Sequence, residues 1–264
     1  MPLHRSILWA ELTLAALRVD GRTDMKIIEA IKAKQKDLHG CRQPIIAFLG
    51  DSVTQGCFDL YMKGERLKPY TISKDGYHEK IKDIFAMFYP EVPLVIINAG
   101  ISGDTAKGGS RRLERDVLSF KPDLVVVCFG LNDATLEKSG FEDYTNSLER
   151  IFRDVKAAGS ELIFMTPCLR TPIADRKRPE ARFNEVAEMV AKNENDGWLT
   201  KYLDSAREIC AEFDVPVCDC NEMWLKLKEN EVDINNLLSN YINHPTEKMH
   251  WMFAYELVRT MFFN

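Results

Sequence analysis

Residues 45–56 read IIAFLGDSVTQG: an apolar run, a glycine, then Asp51, Ser52 and a polar turn. A run of Ile, Ala, Phe and Leu with no polar alternation marks a strand buried on both faces, as in a parallel sheet. Four further runs read the same way: LVIINAG at 94–100, DLVVVCFG at 123–130, ELIFMTP at 161–167 and the weaker VPVCDC at 215–220. Between them lie stretches with helical spacing. Residues 77–88 set Ile81, Ile84, Phe85 and Phe88 on one face, and 109–120 and 144–158 are similar. The stretch 179–213 is long enough for two helices divided near Gly197; 246–263 is a last helix with Thr246 near its start, and 25–38 is one ended by Gly40. Strands alternating with helices predict right-handed crossovers and helices on both faces of one sheet. We read one α/β domain over 41–264, with residues 1–40 as an N-terminal extension packed on it.

The chain has 264 residues, 45% of them hydrophobic and 28% charged, with a formal net charge of -5. That length buries a core without disulfides or metals. The acidic balance argues against a nucleic-acid partner, which leaves a basic footprint. Seven cysteines (Cys41, Cys57, Cys128, Cys168, Cys210, Cys218 and Cys220) are an odd number with no disulfide framework, so reduced thiols in a cytoplasmic protein are expected. The C-x-C of Cys218 and Cys220 is not a zinc spacing, and no metal site is expected. The N-terminal apolar stretch is broken by Glu11 and reads as mature protein. No apolar run is long enough to insert in a membrane.

Ligands of open α/β sheets bind at the carboxyl ends of the strands. There the sequence places Gly50-Asp51-Ser52, then Gly100-Ile101-Ser102-Gly103-Asp104-Thr105, then Gly130-Leu131-Asn132-Asp133; Asn243-His244-Pro245 precedes the last helix. This set suits acyl transfer. A serine hydroxyl needs an adjacent base, and imidazole is the usual one. Ser52 supplies the nucleophile and His244 the base. The backbone N–H groups of Ser52 and Gly103, with the Asn132 amide, supply donors for the oxyanion. Asp51 and Asp133 read as braces of the turns around them.

GDSVTQG, NAGISGDT, GLND and NHP, in that order from Gly50 to Pro245, resemble the four blocks of the GDSL (SGNH) hydrolases. The resemblance implies a three-layer α/β/α sandwich with a five-stranded parallel sheet. It also implies Ser52 as nucleophile, Gly103 and Asn132 as oxyanion donors, His244 as base, and neither metal nor organic cofactor. One departure stands out. The family carries Asp three or four residues before this histidine, where the chain has Tyr241 and Asn240. Asn240 is expected to orient the imidazole through its side-chain carbonyl, or a backbone carbonyl does so in a Ser–His dyad.

The remaining basic residues read as background. Arg111, Arg112 and Arg115 with Lys107 are expected on a solvated helix face, and Arg170, Arg176, Lys177 and Arg178 in a solvated loop. His78 is expected in solvent and His250 inside the last helix. The function expected is hydrolysis of a small-molecule or carbohydrate ester carrying a short acyl group, with acetyl favoured. A catalytically lapsed carbohydrate-binding domain is the alternative.

Overall fold

The computed structural model describes residues 25–263. The five apolar runs become β1 (Ile45–Gly50), β4 (Val95–Gly100), β5 (Leu124–Cys128), β6 (Glu161–Met165) and β7 (Val217–Cys218), all parallel in the order β4-β1-β5-β6-β7. β1 lies at the centre of the site-bearing half. Its last residue, Gly50, pairs with Gly100 of β4 and Cys128 of β5. Three strands therefore stop level with one another, and the segments following them emerge side by side. β7 is only two residues long; Pro216 precedes it and has no N–H to give a ladder.

Helices cover the sheet in two groups. The first pairs α3 (Tyr77–Phe88) with α9 (Glu247–Phe263); α8 (Cys220–Glu229) follows β7 in the chain. The second joins α4 (Ala106–Asp116), α5 (Glu137–Ala157) and α7 (Trp198–Glu212). The sandwich and its five parallel strands are as the sequence predicts. Boundaries moved where caps decide them. α4 begins at Ala106, three residues before the expected start, because the Thr105 side chain accepts from Gly108 N–H at 3.4 Å. Gly197, in the left-handed region at φ 76°, separates α6 (Ala181–Asn195) from α7. The first 24 residues of the expected N-terminal extension lie outside the described residues. Of the rest, α1 (Lys26–Lys36) sends Ile27, Ile28 and Ile31 into the same core as the sheet.

The sequence reading missed a hairpin. β2 (Cys57–Lys63) and β3 (Arg66–Thr71) pair antiparallel across a Gly64-Glu65 turn, directly after the Ser52 segment. Pro69 inside β3 and the polar KGER turn mask it, although a two-residue turn opening on glycine is hairpin chemistry. Leu60 and Leu67 of the ribbon pack on Phe183, Ala187, Val190 and Ile242. This small cluster joins the ribbon and α6 to the loop that carries His244.

Candidate active site

Ser52 opens a single helical turn, α2 (Ser52–Gln55), at the tip of β1. Asp51 caps the turn, its Oδ1 accepting from Val53 N–H at 2.9 Å, as expected of a bracing carboxylate. The turn lies hard against the end of β4: a Cβ on Gly100 would sit 2.2 Å from Gln55 N, so only glycine fits there. Beyond Gly100, Ser102 N–H reaches Gln55 Oε1 at 2.9 Å and Asp104 N–H closes back on Ile101 O at 3.1 Å. Gly103 takes φ +80° at the apex of this loop with open space on its Cβ side, a conformation that glycine adopts without strain. Among the described residues, neither Ser52 N–H nor Gly103 N–H has a protein acceptor.

Asn132 stands between these two segments. Its Nδ2 donates to Asp104 O at 2.9 Å and lies 3.4 Å from Asp51 Oδ2. Asp133 fixes the loop behind it, taking Ala106 N–H at 2.9 Å and Gly130 N–H at 3.1 Å. Both carboxyls are pushed up to about 7, chiefly by burial, with nearby acidic groups adding to the shift. Arg112 corrects its expected place on a solvated face. It is buried, with Nε on Asp104 Oδ2 at 2.8 Å, Nη2 on Gly50 O at 3.0 Å and Nη1 on Ala99 O. One guanidinium thus ties the ends of β1 and β4 to the loop carrying Gly103. The sequence marks Arg112 only as one of several arginines in a helix.

His244 comes from the other side, on a loop closed at its base by the Leu238–Pro245 bridge and by Ser239 N–H on His244 O at 2.8 Å. Its Nε2 lies 2.9 Å from Ser52 Oγ, and each of the two residues is only 3% exposed. The pair expected from the sequence is therefore in contact. Burial lowers the imidazole to about 4, weakly opposed by Asp59. Asn240 is beside the ring, but the expected orientation is overturned. Its Oδ1 is occupied by the N–H groups of Ile242, Asn243 and His244 at 3.0, 3.0 and 2.9 Å. The amide nitrogen consequently faces His244 Nδ1 at 3.0 Å, and a carbonyl is not what meets the ring. Tyr241 is half-exposed at φ 57° and takes no part in this contact. Cys57 Sγ, which no sequence signal singled out, lies 3.6 Å from the same Nδ1.

Burial corrects the expectations for His78 and Arg170, whereas His250 lies inside the last helix as expected. His78 is buried, its Nε2 meeting Asn98 Nδ2 at 3.1 Å. His250 packs inside α9, accepting from Tyr77 N–H at 3.1 Å. Arg170 is fully buried and bonded to Glu194, Asn193 and Leu131 O, so it is a strut beneath the Asn132 loop. Arg178 clamps Asp59 of the ribbon at 2.9 and 3.1 Å. Among the described residues no group of three or more His, Cys, Asp or Glu is placed to hold a metal ion, and no helix is long and apolar enough to cross a membrane.

The chain is similar to known proteins in sequence and in fold. An acetylxylan esterase of Geobacillus stearothermophilus is 30% identical over 131 residues, 46% of this chain and 58% of that protein. Thioesterase 1/protease 1/lysophospholipase L1 of Escherichia coli (strain K12) is 33% identical over 135 residues, 50% of this chain and 53% of that one. The match thus spans little more than half the length of these curated relatives. In three dimensions, a crystal structure of a catalytic mutant of the Geobacillus acetylxylan esterase superposes with a TM-score of 0.62 at 20% identity, covering 84% of this chain and 95% of that one. A two-domain esterase active on acetylated mannans gives 0.61 at 18% identity, covering 91% and 53%. Residues 48–252 match the GDSL-like Lipase/Acylhydrolase family, and the chain belongs to that family.

Proposed function

We propose that the protein is a serine ester hydrolase that removes short acyl groups, acetyl above all, from a carbohydrate or other small alcohol. The observation that carries this reading is the buried 2.9 Å contact between Ser52 Oγ and His244 Nε2 beside two unclaimed N–H groups. Ser52 Oγ attacks the ester carbonyl carbon and its proton passes to His244 Nε2. The carbonyl oxygen gathers charge opposite Ser52 N–H and Gly103 N–H, and Asn132 Nδ2 can join them by exchanging its long 3.4 Å hydrogen bond to Asp51 Oδ2 for one to the oxyanion. His244 returns the proton to the departing alcohol, and a water activated by the same nitrogen hydrolyses the acyl-enzyme. A nucleophile only 3% exposed favours a small acyl group over a long chain. The carbohydrate alcohol is suggested by the relatives named for acetylxylan and by the fold neighbour active on acetylated mannans. The lapsed binding domain is not favoured. Seven unpaired cysteines, six of them buried, support our further reading of a reducing compartment such as the cytoplasm. We retain 1–40 as an extension of the hydrolase domain.

The test is hydrolysis of p-nitrophenyl acetate, butyrate and octanoate, and of acetylated xylo-oligosaccharide, beside Ser52→Ala. Turnover that needs Ser52 and falls with chain length is expected. Turnover unchanged in Ser52→Ala would sink the mechanism, and a preference for octanoate would sink the short-acyl part.

A further inference from the structure

The Nδ1 side of His244 is built with the opposite polarity to a Ser–His–Asp site. A general base at Nε2 needs its resting proton on Nδ1, held there by an acceptor. Here the atom facing Nδ1 is the Asn240 amide nitrogen, at 3.0 Å. At an isolated asparagine the two amide ends could be exchanged. At Asn240 they cannot be, because three backbone N–H groups converge on Oδ1 within 3.0 Å and would meet an NH2 group donor against donor. The second amide hydrogen is likewise accounted for, with Asn243 Oδ1 at 3.1 Å. Nδ1 must therefore accept, which puts the ring proton on Nε2, facing Ser52 Oγ at 2.9 Å.

We propose that Asn240 is a positioning residue that holds the resting His244 as its Nε2–H tautomer, and that Asn240→Asp would complete a triad on the present backbone. In the resting state the ring donates to Ser52 and does not accept from it. The base-competent tautomer forms only when the proton sits on Nδ1, where, among the described residues, the other hydrogen-bond contact is Cys57 Sγ at 3.6 Å, a weak acceptor. The charged groups near the ring are few. Asp59 of the ribbon favours the imidazolium; His250 of α9 interacts with it and is itself driven to the neutral form. Nothing else named in the site offers Nδ1–H an anion. A carboxylate in the Asn240 position would keep one oxygen under the three N–H groups and bring the other to Nδ1. Asn243 would need only to turn its amide to donate. In serine proteases the reverse exchange, carboxylate to amide, lowers turnover about 10⁴-fold through the wrong tautomer.

The kinetic half of this inference rests on the esterase reading; the tautomer does not. The test has two arms on the 264-residue chain. The first is ¹⁵N NMR of the imidazole in histidine-labelled wild type, with the His244 signals identified by their loss in His244→Gln. We expect Nδ1 as the unprotonated nitrogen at pH 7; an unprotonated Nε2 would overturn the proposal whatever the activity. The second is Asn240→Asp with p-nitrophenyl acetate. kcat is expected to rise at least about 10-fold, with KM changed little and the proton moved to Nδ1 in the NMR arm. The acid limb of kcat/KM should move upward, as a neighbouring anion raises an imidazole. An Asn240→Asp protein that folds, yet shows neither the proton shift nor the rise over a measurable wild-type rate, would overturn the proposal. If neither protein hydrolyses any ester, the esterase reading falls, and the NMR arm still decides the tautomer.

Discussion

The two nitrogens of His244 face regions of different construction. On the Nε2 side, Ser52, Gly103 and Asn132 ride on three parallel strands that end in register, with Gly50 beside both Gly100 and Cys128. On the Nδ1 side, Asn240 belongs to a loop wound around one side-chain oxygen that satisfies three backbone donors. The first region is set by the sheet; the second is set by a single amide. The same amide therefore serves two ends. It folds the loop well and, by doing so, turns its donor face to His244. A sheet-borne site can change one residue and keep its geometry, whereas a side-chain-borne loop couples its shape to its chemistry.

The largest expected effects lie on the sheet side. Ser52→Ala should lower hydrolysis of p-nitrophenyl acetate by about 10³-fold or more, to the blank if the acyl-enzyme route is the only one. Thermal unfolding should stay near wild type, because the small turn around it is held by Asp51 and by the Thr54 Oγ1–Tyr77 OH contact at 2.8 Å. Comparable rates in the two proteins would break the comparison at its base. Asn132→Ala comes next, with kcat lowered about 10² to 10³-fold, the range for losing one oxyanion donor. KM should change far less. A pure KM effect would mean that Asn132 binds substrate and stabilises no transition state.

Arg112→Ala sharpens the contrast through stability. The buried guanidinium holds Asp104, Gly50 O and Ala99 O, and its loss strands all three. Removing one partner of a buried ion pair costs about 3 kcal/mol or more. Arg112→Lys should recover little of it, since an ammonium cannot span three acceptors as the planar fork does. Urea midpoints measure this directly. An unchanged midpoint in Arg112→Ala would show that the level strand ends, and not the clamp, hold the Gly103 loop in place.

How far the site could be read in advance follows the same division. Strand ends are written in local pattern, because apolar runs stop where the sheet stops and glycines sit where backbones touch. That is why the sequence could set Ser52, Gly103 and Asn132 at one edge of the sheet, and why the five strands of the parallel sheet, though not the two of the ribbon, were legible. Arg112 was misplaced because its partners are backbone carbonyls 13 and 62 residues away, invisible to spacing. Cys57 and the ribbon were missed for a similar reason: Pro69 weakens the strand signal, and what buries the thiol is a loop far along the chain. Asn240 could be named but not oriented. Which end of an amide faces the ring depends on three backbone N–H groups whose convergence appears only once the loop is closed.

The smallest effect, and the one most diagnostic of the loop side, is in pH. Burial lowers His244 to about 4, against 6.5 for the free side chain, and no carboxylate lies at Nδ1 to restore it. A base must be neutral to work, so kcat/KM should hold on acidification well below pH 6 and fall only on approaching about 4. The stability consequence has the same origin. The folded chain binds fewer protons at His244 than the unfolded one between about 6.5 and 4, so this group's contribution falls as pH drops through that window. Asp51 and Asp133 act oppositely. Raised to about 7 from 3.8, they hold extra protons in the folded state, and what they contribute is lost as pH rises through that range. Asp133→Asn should therefore flatten the stability profile between about pH 4 and 7 while leaving the acid limb of activity where it was. An acid limb near 6.5 in the wild type would mean that His244 meets an anion or open water in solution, and the contrast between its two faces would be lost.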